Sequence, residues 1–178
     1  RKVREFRYAG EIDTAGYAAP DITILAEHLT KGGLTAFAYQ QEPESIVWAL
    51  REDGTLLGLT YRREEEVVAW HKHIIGGSFG SGQAVVESII TLPTDSGEDE
   101  LYMIVKRTIN SQTKRYIEVL KTFDFGSLPS TAFFVDSGLT YSGGATSSLT
   151  GLQHLEGQSL SVLANGASHS DKTVASSG

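Results

Sequence analysis

From position 34 onward the chain alternates short apolar runs with turn chemistry. Runs at 34–39, 45–51, 55–61 and 66–74 come in close order, and runs at 84–92, 100–107 and 114–120 follow. They are rich in Val, Ile, Leu, Tyr and Trp, which pack well on a pleated surface, so the pattern predicts strands. Asp53-Gly54 and Asn110-Ser111 separate neighbouring runs, as expected of tight turns that need positive φ. In Ile46-Val47-Trp48-Ala49-Leu50 both alternate sets are apolar, which predicts a sheet covered on both faces. Before these runs, Ile22, Leu25, Ala26 and Leu29 recur at helical spacing. The spacing predicts one short helix over 21–30, with Asp21 as its N-cap and Gly32-Gly33 as its stop.

Residues 45–74 read strand, turn, strand, turn, strand, and residues 84–120 repeat the pattern with a longer insert at 93–99. Repeated meanders covered on both faces are the signature of propeller blades. Two to three blades do not close a propeller, so the segment is expected to be part of one or to use another all-β packing. Near Ser137 the composition shifts. Residues 138–178 carry only three charged side chains, Glu156, Asp171 and Lys172, amid Ser, Gly and Thr. Leu160, Val162 and Ala164 nevertheless alternate with Ser159, Ser161 and Leu163 ahead of Asn165-Gly166, which predicts a hairpin. The expected fold class is therefore mainly β: antiparallel, propeller-blade-like sheets with one short helix, followed by a small β module. Residues 1–136 form a partial propeller-like domain in this reading. Residues 137–178 form a small Ser/Gly-rich module, expected to be truncated, and 123–136 is the crossing between them.

The 178 residues are 40% hydrophobic and carry a net charge of −7. That is enough apolar material for a packed core. The negative charge disfavours general binding to polyanions, although Arg1, Lys2, Arg4 and Arg7 make a short basic arm. There are no cysteines, so disulfides and thiolate metal sites drop out. No apolar run approaches the ~20 residues of a membrane-spanning helix. A chain that opens on Arg1 and stops at Ser176-Ser177-Gly178 reads as a piece of a longer protein.

Candidate chemistry is sparse. His71 and His73 lie two apart on a predicted strand, so they share a face and invite a metal, but a third ligand is missing from the pattern. Strand-end histidines that satisfy local hydrogen bonds are the simpler reading. His28 sits where a helix C-terminus favours a cation, and His154 and His169 show no spacing signal. Glu64-Glu65-Glu66 beside Arg62-Arg63 reads as a solvated turn. Asp95, Glu98, Asp99 and Glu100 lack the spacing of a calcium loop. The stretch from Gly76 to Gly82 has no lysine for a phosphate loop and reads as a flexible strand connection. No serine sits in a G-x-S-x-G elbow. Trp48 and Trp70 lie inside apolar runs and read as core rather than as sugar platforms. No catalytic, cofactor-binding or metal residue is assigned, and no cofactor is expected.

The segments AFAYQQEPESIVWA (36–49), DGTLLGLTY (53–61) and VAWHKH (68–73) occur in order. DELYMIVKRTIN (99–110) and RYIE (115–118) follow them, and the 21–29 segment precedes them. Together they resemble tailed-bacteriophage and prophage virion proteins of the tail tubular type, which form the nozzle and stabilise it. HLEGQSLSVLANG (154–166) looks like the small β module of such phage proteins that is compared with the first catalytic cysteine half-domain of ubiquitin-activating enzymes. Without a cysteine that likeness carries no thioester chemistry. The resemblance implies a non-enzymatic structural subunit of the virion tail, assembled in the bacterial cytoplasm. It also implies a homo-oligomeric ring contacting other tail or portal-proximal subunits, DNA only in passage, and no membrane. A carbohydrate-binding or carbohydrate-cleaving module of a host-recognition protein, built around Trp48 and Trp70, is the alternative.

Overall fold

The computed structural model describes residues 2–10, 16–122, 126–127, 135–176 and 178. Most of the expected crossing at 123–136 lies outside the described residues. The chain is mainly β and antiparallel. Two short strands, β1 (Arg7–Tyr8) and β2 (Tyr17–Ala18), precede a single helical turn, α1 (Glu27–Thr30). A four-stranded meander follows: β3 (Leu34–Gln40), β4 (Ile46–Arg51), β5 (Leu56–Arg62) and β6 (Val67–His73). After a small hairpin of β7 (Ser78–Phe79) and β8 (Gly82–Gln83) comes a three-stranded meander of β9 (Val85–Pro93), β10 (Asp99–Ile109) and β11 (Gln112–Leu120). A 3₁₀ turn (Gln153–Leu155) leads into a last hairpin, β12 (Ser159–Ala164) and β13 (Ala167–Thr173). The seven expected strand runs match β3–β6 and β9–β11 to within two residues at each end, and the expected terminal hairpin is present.

The turns explain the register. Asn110 and Ser111 both have positive φ, 50° and 59°, and so do Asn165 and Gly166, at 52° and 78°. Two consecutive residues of that kind match the twist of the strands they join. In the first meander Trp48 pairs with Gly58, and Gly58 with His71. Period two then places Ile46, Trp48, Leu50, Leu56 and both histidines on one face, and Ala49, Leu57, Leu59 and Trp70 on the other.

Both faces are covered, as the unbroken apolar runs suggest. The Trp48 face packs on Val86, Ile89, Leu101, Met103 and Val105 of the second meander, so two stacked sheets share one core. The opposite face, with Leu57 and Leu59 fully buried, lies under the segment that leads into α1. That segment is held there by the Trp70 indole, which donates to the Ile22 carbonyl at 2.8 Å, and by Arg51, which donates to the Leu29 carbonyl at 3.1 Å. Along one side the sheets are sewn together. Thr91 Oγ1 donates to the Tyr39 carbonyl at 2.7 Å, and Asp99 Oδ2 accepts from Gln41 N at 2.7 Å and from Glu42 N at 3.3 Å.

The helix is shorter than its periodicity suggests, and Asp21 does not cap it. Asp21 Oδ1 accepts from the backbone and hydroxyl of Thr23 at 2.9 and 2.6 Å, and its other oxygen meets Lys2 at 2.7 Å. The carboxylate is thus committed to pinning the N-terminal ribbon, and Leu25, an expected member of the apolar stripe, is 92% exposed. A stretch of ten residues is too short to hold a helix unless packing favours it, and here the packing favours the ribbon contact.

Leu59→Ala is expected to cost about 2–5 kcal/mol of unfolding free energy, because the truncation leaves a void in a covered layer. Leu25→Ala should leave the denaturation midpoint within about 0.5 kcal/mol of the parent protein. Urea unfolding of both variants checks the contrast.

Candidate functional site

On the side opposite the Thr91–Tyr39 seam, β6 and β11 flank a cleft of about 1060 Å³. Its floor is Ile46 and Trp48, its walls are Lys72 and His73 on one side and residues 116–121 on the other, and residues 135–138 and 151–154 reach over it. Four polar side chains from three separate parts of the chain converge there: His73, the neighbours Asp136 and Ser137, and His154. Cleft position and convergent polar groups make it the natural candidate for a site.

His71 and His73 do share a face. Their rings are inclined at 75°, with His71 Nδ1 3.0 Å from His73 Nε2. His73 Nδ1 is in turn 3.0 Å from Asp136 Oδ1. One tautomer pattern satisfies both contacts: His73 donates from Nδ1 to the carboxylate and accepts at Nε2 from His71 Nδ1–H. The two facing nitrogens are joined through a proton, and no cluster of three metal-ligating side chains occurs among the described residues. Burial, and then the charge of His73, hold the His71 imidazole below its ordinary pKa. The Trp48 ring lies edge-on to His71, and its Nε1 donates to Gln40 Oε1 at 3.0 Å. Trp48 is only 2% exposed and so offers no open ring face, while Trp70 is half-buried with its indole N–H bonded to the Ile22 carbonyl.

The second pair escapes any reading of spacing. Ser137 Oγ and His154 Nε2 are 2.8 Å apart. Burial, and then the Arg107 guanidinium, push the His154 pKa down, with Glu118 acting in the opposite sense. The geometry resembles a nucleophile beside a neutral base, but the carboxylate whose charge His154 feels is occupied elsewhere. Glu118 is bound in bidentate fashion by Arg107, with the second contact at 3.0 Å. Arg107 is 1% exposed and donates its Nε to the Gly76 carbonyl at 2.8 Å. The Ser137–His154 pair is best described as a clasp that joins the two covering segments to each other.

Glycines let the covering segments sit close to the sandwich. A side chain at Gly76 would collide with Leu155 and Ser137, and one at Gly77 (φ 94°) with the His154 carbonyl and Arg107. The glycine stretch, expected to be a flexible connection, is thus in part a saddle for the 3₁₀ turn. Buried Leu155 and Val174 anchor the terminal hairpin, and Glu156 Oε2 accepts from Asn110 N at 2.5 Å. On β5, Gly58 plays the same part, since a Cβ there would strike the His71 ring.

The remaining sequence candidates fall elsewhere. His28 is exposed in the last turn of α1, and His169 is exposed on β13. Glu64, Glu65 and Glu66 form an exposed turn in which Glu66 has φ 57°. Asp99 accepts backbone hydrogen bonds, and Glu100 meets Lys121 at 2.8 Å. Compared with known protein families and with curated proteins, the chain matches none.

Two outcomes test this account of the cleft. Arg107→Ala should cost about 3 kcal/mol, since it strands Glu118 and the Gly76 carbonyl, and Arg107→Met combined with Glu118→Leu should recover most of the loss in denaturant titrations. The pH dependence should also show two windows. His71 and His154 have folded pKa values below the ordinary ~6.5, so the unfolded chain takes up their protons first. Their contribution is complete above that value and is lost as the pH falls below it. Glu87, held at about 2 by Arg115 and then Lys106, loses its contribution only lower, between ~4.3 and its folded value. Urea midpoints measured from pH 7.5 to 3 should show both steps, and His154→Gln should reduce only the upper one.

Proposed function

We propose that the chain is a structural, non-enzymatic subunit of a tailed-phage or prophage virion, acting in the tail nozzle or tube through contacts with copies of itself and with neighbouring tail or portal-proximal proteins. The observation that carries the reading is the ordered resemblance of 36–49, 53–61, 68–73, 99–110 and 115–118 to tail tubular proteins, segments that fall on β3–β6, β10 and part of β11. The distribution of apolar surface supports it. Phe37 and Tyr39 on β3, Ile90 and Leu92 on β9, and Ile117 on β11 are exposed, more than a solitary β domain needs to leave open. A net charge of −7 suits a channel component that lets DNA pass without holding it. The alternative of a carbohydrate module is weakened by the burial of Trp48, which leaves it no stacking face.

Purified phage or induced prophage particles carrying this gene should contain the protein in several copies per tail, detected by quantitative mass spectrometry and placed at the tail by electron microscopy. Particles that lack it would refute the proposal.

A further inference from the structure

The second meander is covered on one face only. Ile89, Leu101, Met103 and Val105 point into the shared core. Strand register places the alternate residues in rows on the outside: Ile90, Tyr102 and Val119 in one, Ser88, Ile104 and Ile117 in the next. Ile117 is 78% exposed and Ile90 54%, Ile104 is also exposed, and Tyr102 and Val119 are half-buried. Leu92, exposed beside Glu100 in the following row, extends this apolar band toward the turn after β9.

The charges that border the band are paired within the chain. At one end Glu87 meets Lys106 at 2.9 Å and Arg115 at 2.7 Å, and the Lys106 ammonium also lies over the Phe79 ring. At the other end Glu100 meets Lys121 at 2.8 Å and accepts from the Tyr102 hydroxyl at 3.0 Å. Three cations against two carboxylates give the border a charge of +1, whereas the whole chain carries −7. The acidic charge that keeps copies apart therefore lies off this face, and its own ions ask for no charged partner.

We infer that a second copy packs the same outer face of its second meander here, sheet on sheet, across a two-fold axis near Tyr102 and Ile104. The order of layers leaves a second copy little else to offer. The outer face of the first meander is taken at Leu57, Leu59 and Trp70 by the segment that leads into α1, and only its β3 edge, with Phe37 and Tyr39, stays open. The exposed side of the terminal hairpin is polar apart from Leu163. A like face must then answer a like face, which makes the contact isologous. Aligned packing of two twisted sheets suits it, since the aliphatic side chains of one interdigitate with those of the other. Three strands of about nine residues span roughly 400 Å² in outline, about half of the ~800 Å² per partner in a standard interface, so the pairing is reversible and weak. The inference goes beyond the tail reading and stands on the layer order: a two-fold contact closes at a dimer, and any larger assembly uses other surfaces.

Sedimentation velocity over a range of concentrations, together with cross-linking, tests it. The wild type should pass from monomer to dimer as its concentration rises through the micromolar range. Ile90→Lys and Ile117→Lys, made separately, each set a charge from both copies into the apolar contact. Each should raise the dissociation constant more than about tenfold and leave the circular dichroism spectrum unchanged, because both side chains are exposed. The chain has no cysteine, so Ile104→Cys supplies a single handle near the axis. A bismaleimide of about 10 Å reach, the spacing of packed sheets, should join that variant to itself, whereas Leu163→Cys on β12 should stay unlinked. A wild type that remains monomeric, dimers that form as well in both lysine variants, or an Ile104→Cys dimer that the reagent fails to join would each overturn the inference. Linking at Leu163 with none at Ile104 would also overturn it and move the contact to the terminal hairpin.

Discussion

The structure depends on the requirement that both faces of β4 and β5 be kept from water. Leu56, Leu57 and Leu59 are consecutive or alternate, and all are essentially inaccessible. No single sheet can meet that demand. Leu56 needs the second meander above it, and Leu57 and Leu59 need the α1 segment beneath. The order of layers therefore follows from a short stretch of apolar sequence: N-terminal segment, first meander, second meander. At roughly 1.5–3 kcal/mol for each fully buried large side chain, these few residues outweigh any single polar contact elsewhere.

The same demand shapes the polar chemistry. One flank of the sandwich is sewn by Thr91 and Asp99, while the other opens between β6 and β11 and brings polar side chains to its mouth. Burial there is partial, and it keeps His71 and His154 neutral. His73 meets Asp136 and His154 meets Ser137, and these contacts help to hold the cover in place. Arg107, the one deeply buried cation of the region, is matched by two oxygens of Glu118 and by a carbonyl. Apolar residues that the interior does not use lie exposed on the N-terminal ribbon and on the outer faces of β3 and β9.

What could be read beforehand came from local rules. Alternation and β-branched runs placed seven strands, and Asn110-Ser111 and Asn165-Gly166 placed two hairpin turns, because strand pairing and turn geometry act over a few residues. Even the shared face of His71 and His73 followed from period two. The apolar doubling of 46–50 announced two covered faces without saying what covers them. The helix was overstated for a related reason: its stripe was local, while Asp21 is taken up by Lys2 across the ribbon as well as by neighbouring Thr23.

Only the tertiary structure joined residues far apart in the chain. Asp136 lies 63 positions from His73, and Ser137 lies 17 from His154; no periodicity links such positions, because their meeting depends on how two sheets and a terminal hairpin stack. The roles of Gly58, Gly76 and Gly77 were hidden likewise, since a missing Cβ has meaning only once the neighbour that would fill its space is known. The sequence by itself determined which segments are strands and which side chains must leave water. Packing alone decided which strangers meet, because the contacts that bring them together are made between layers and not along the chain.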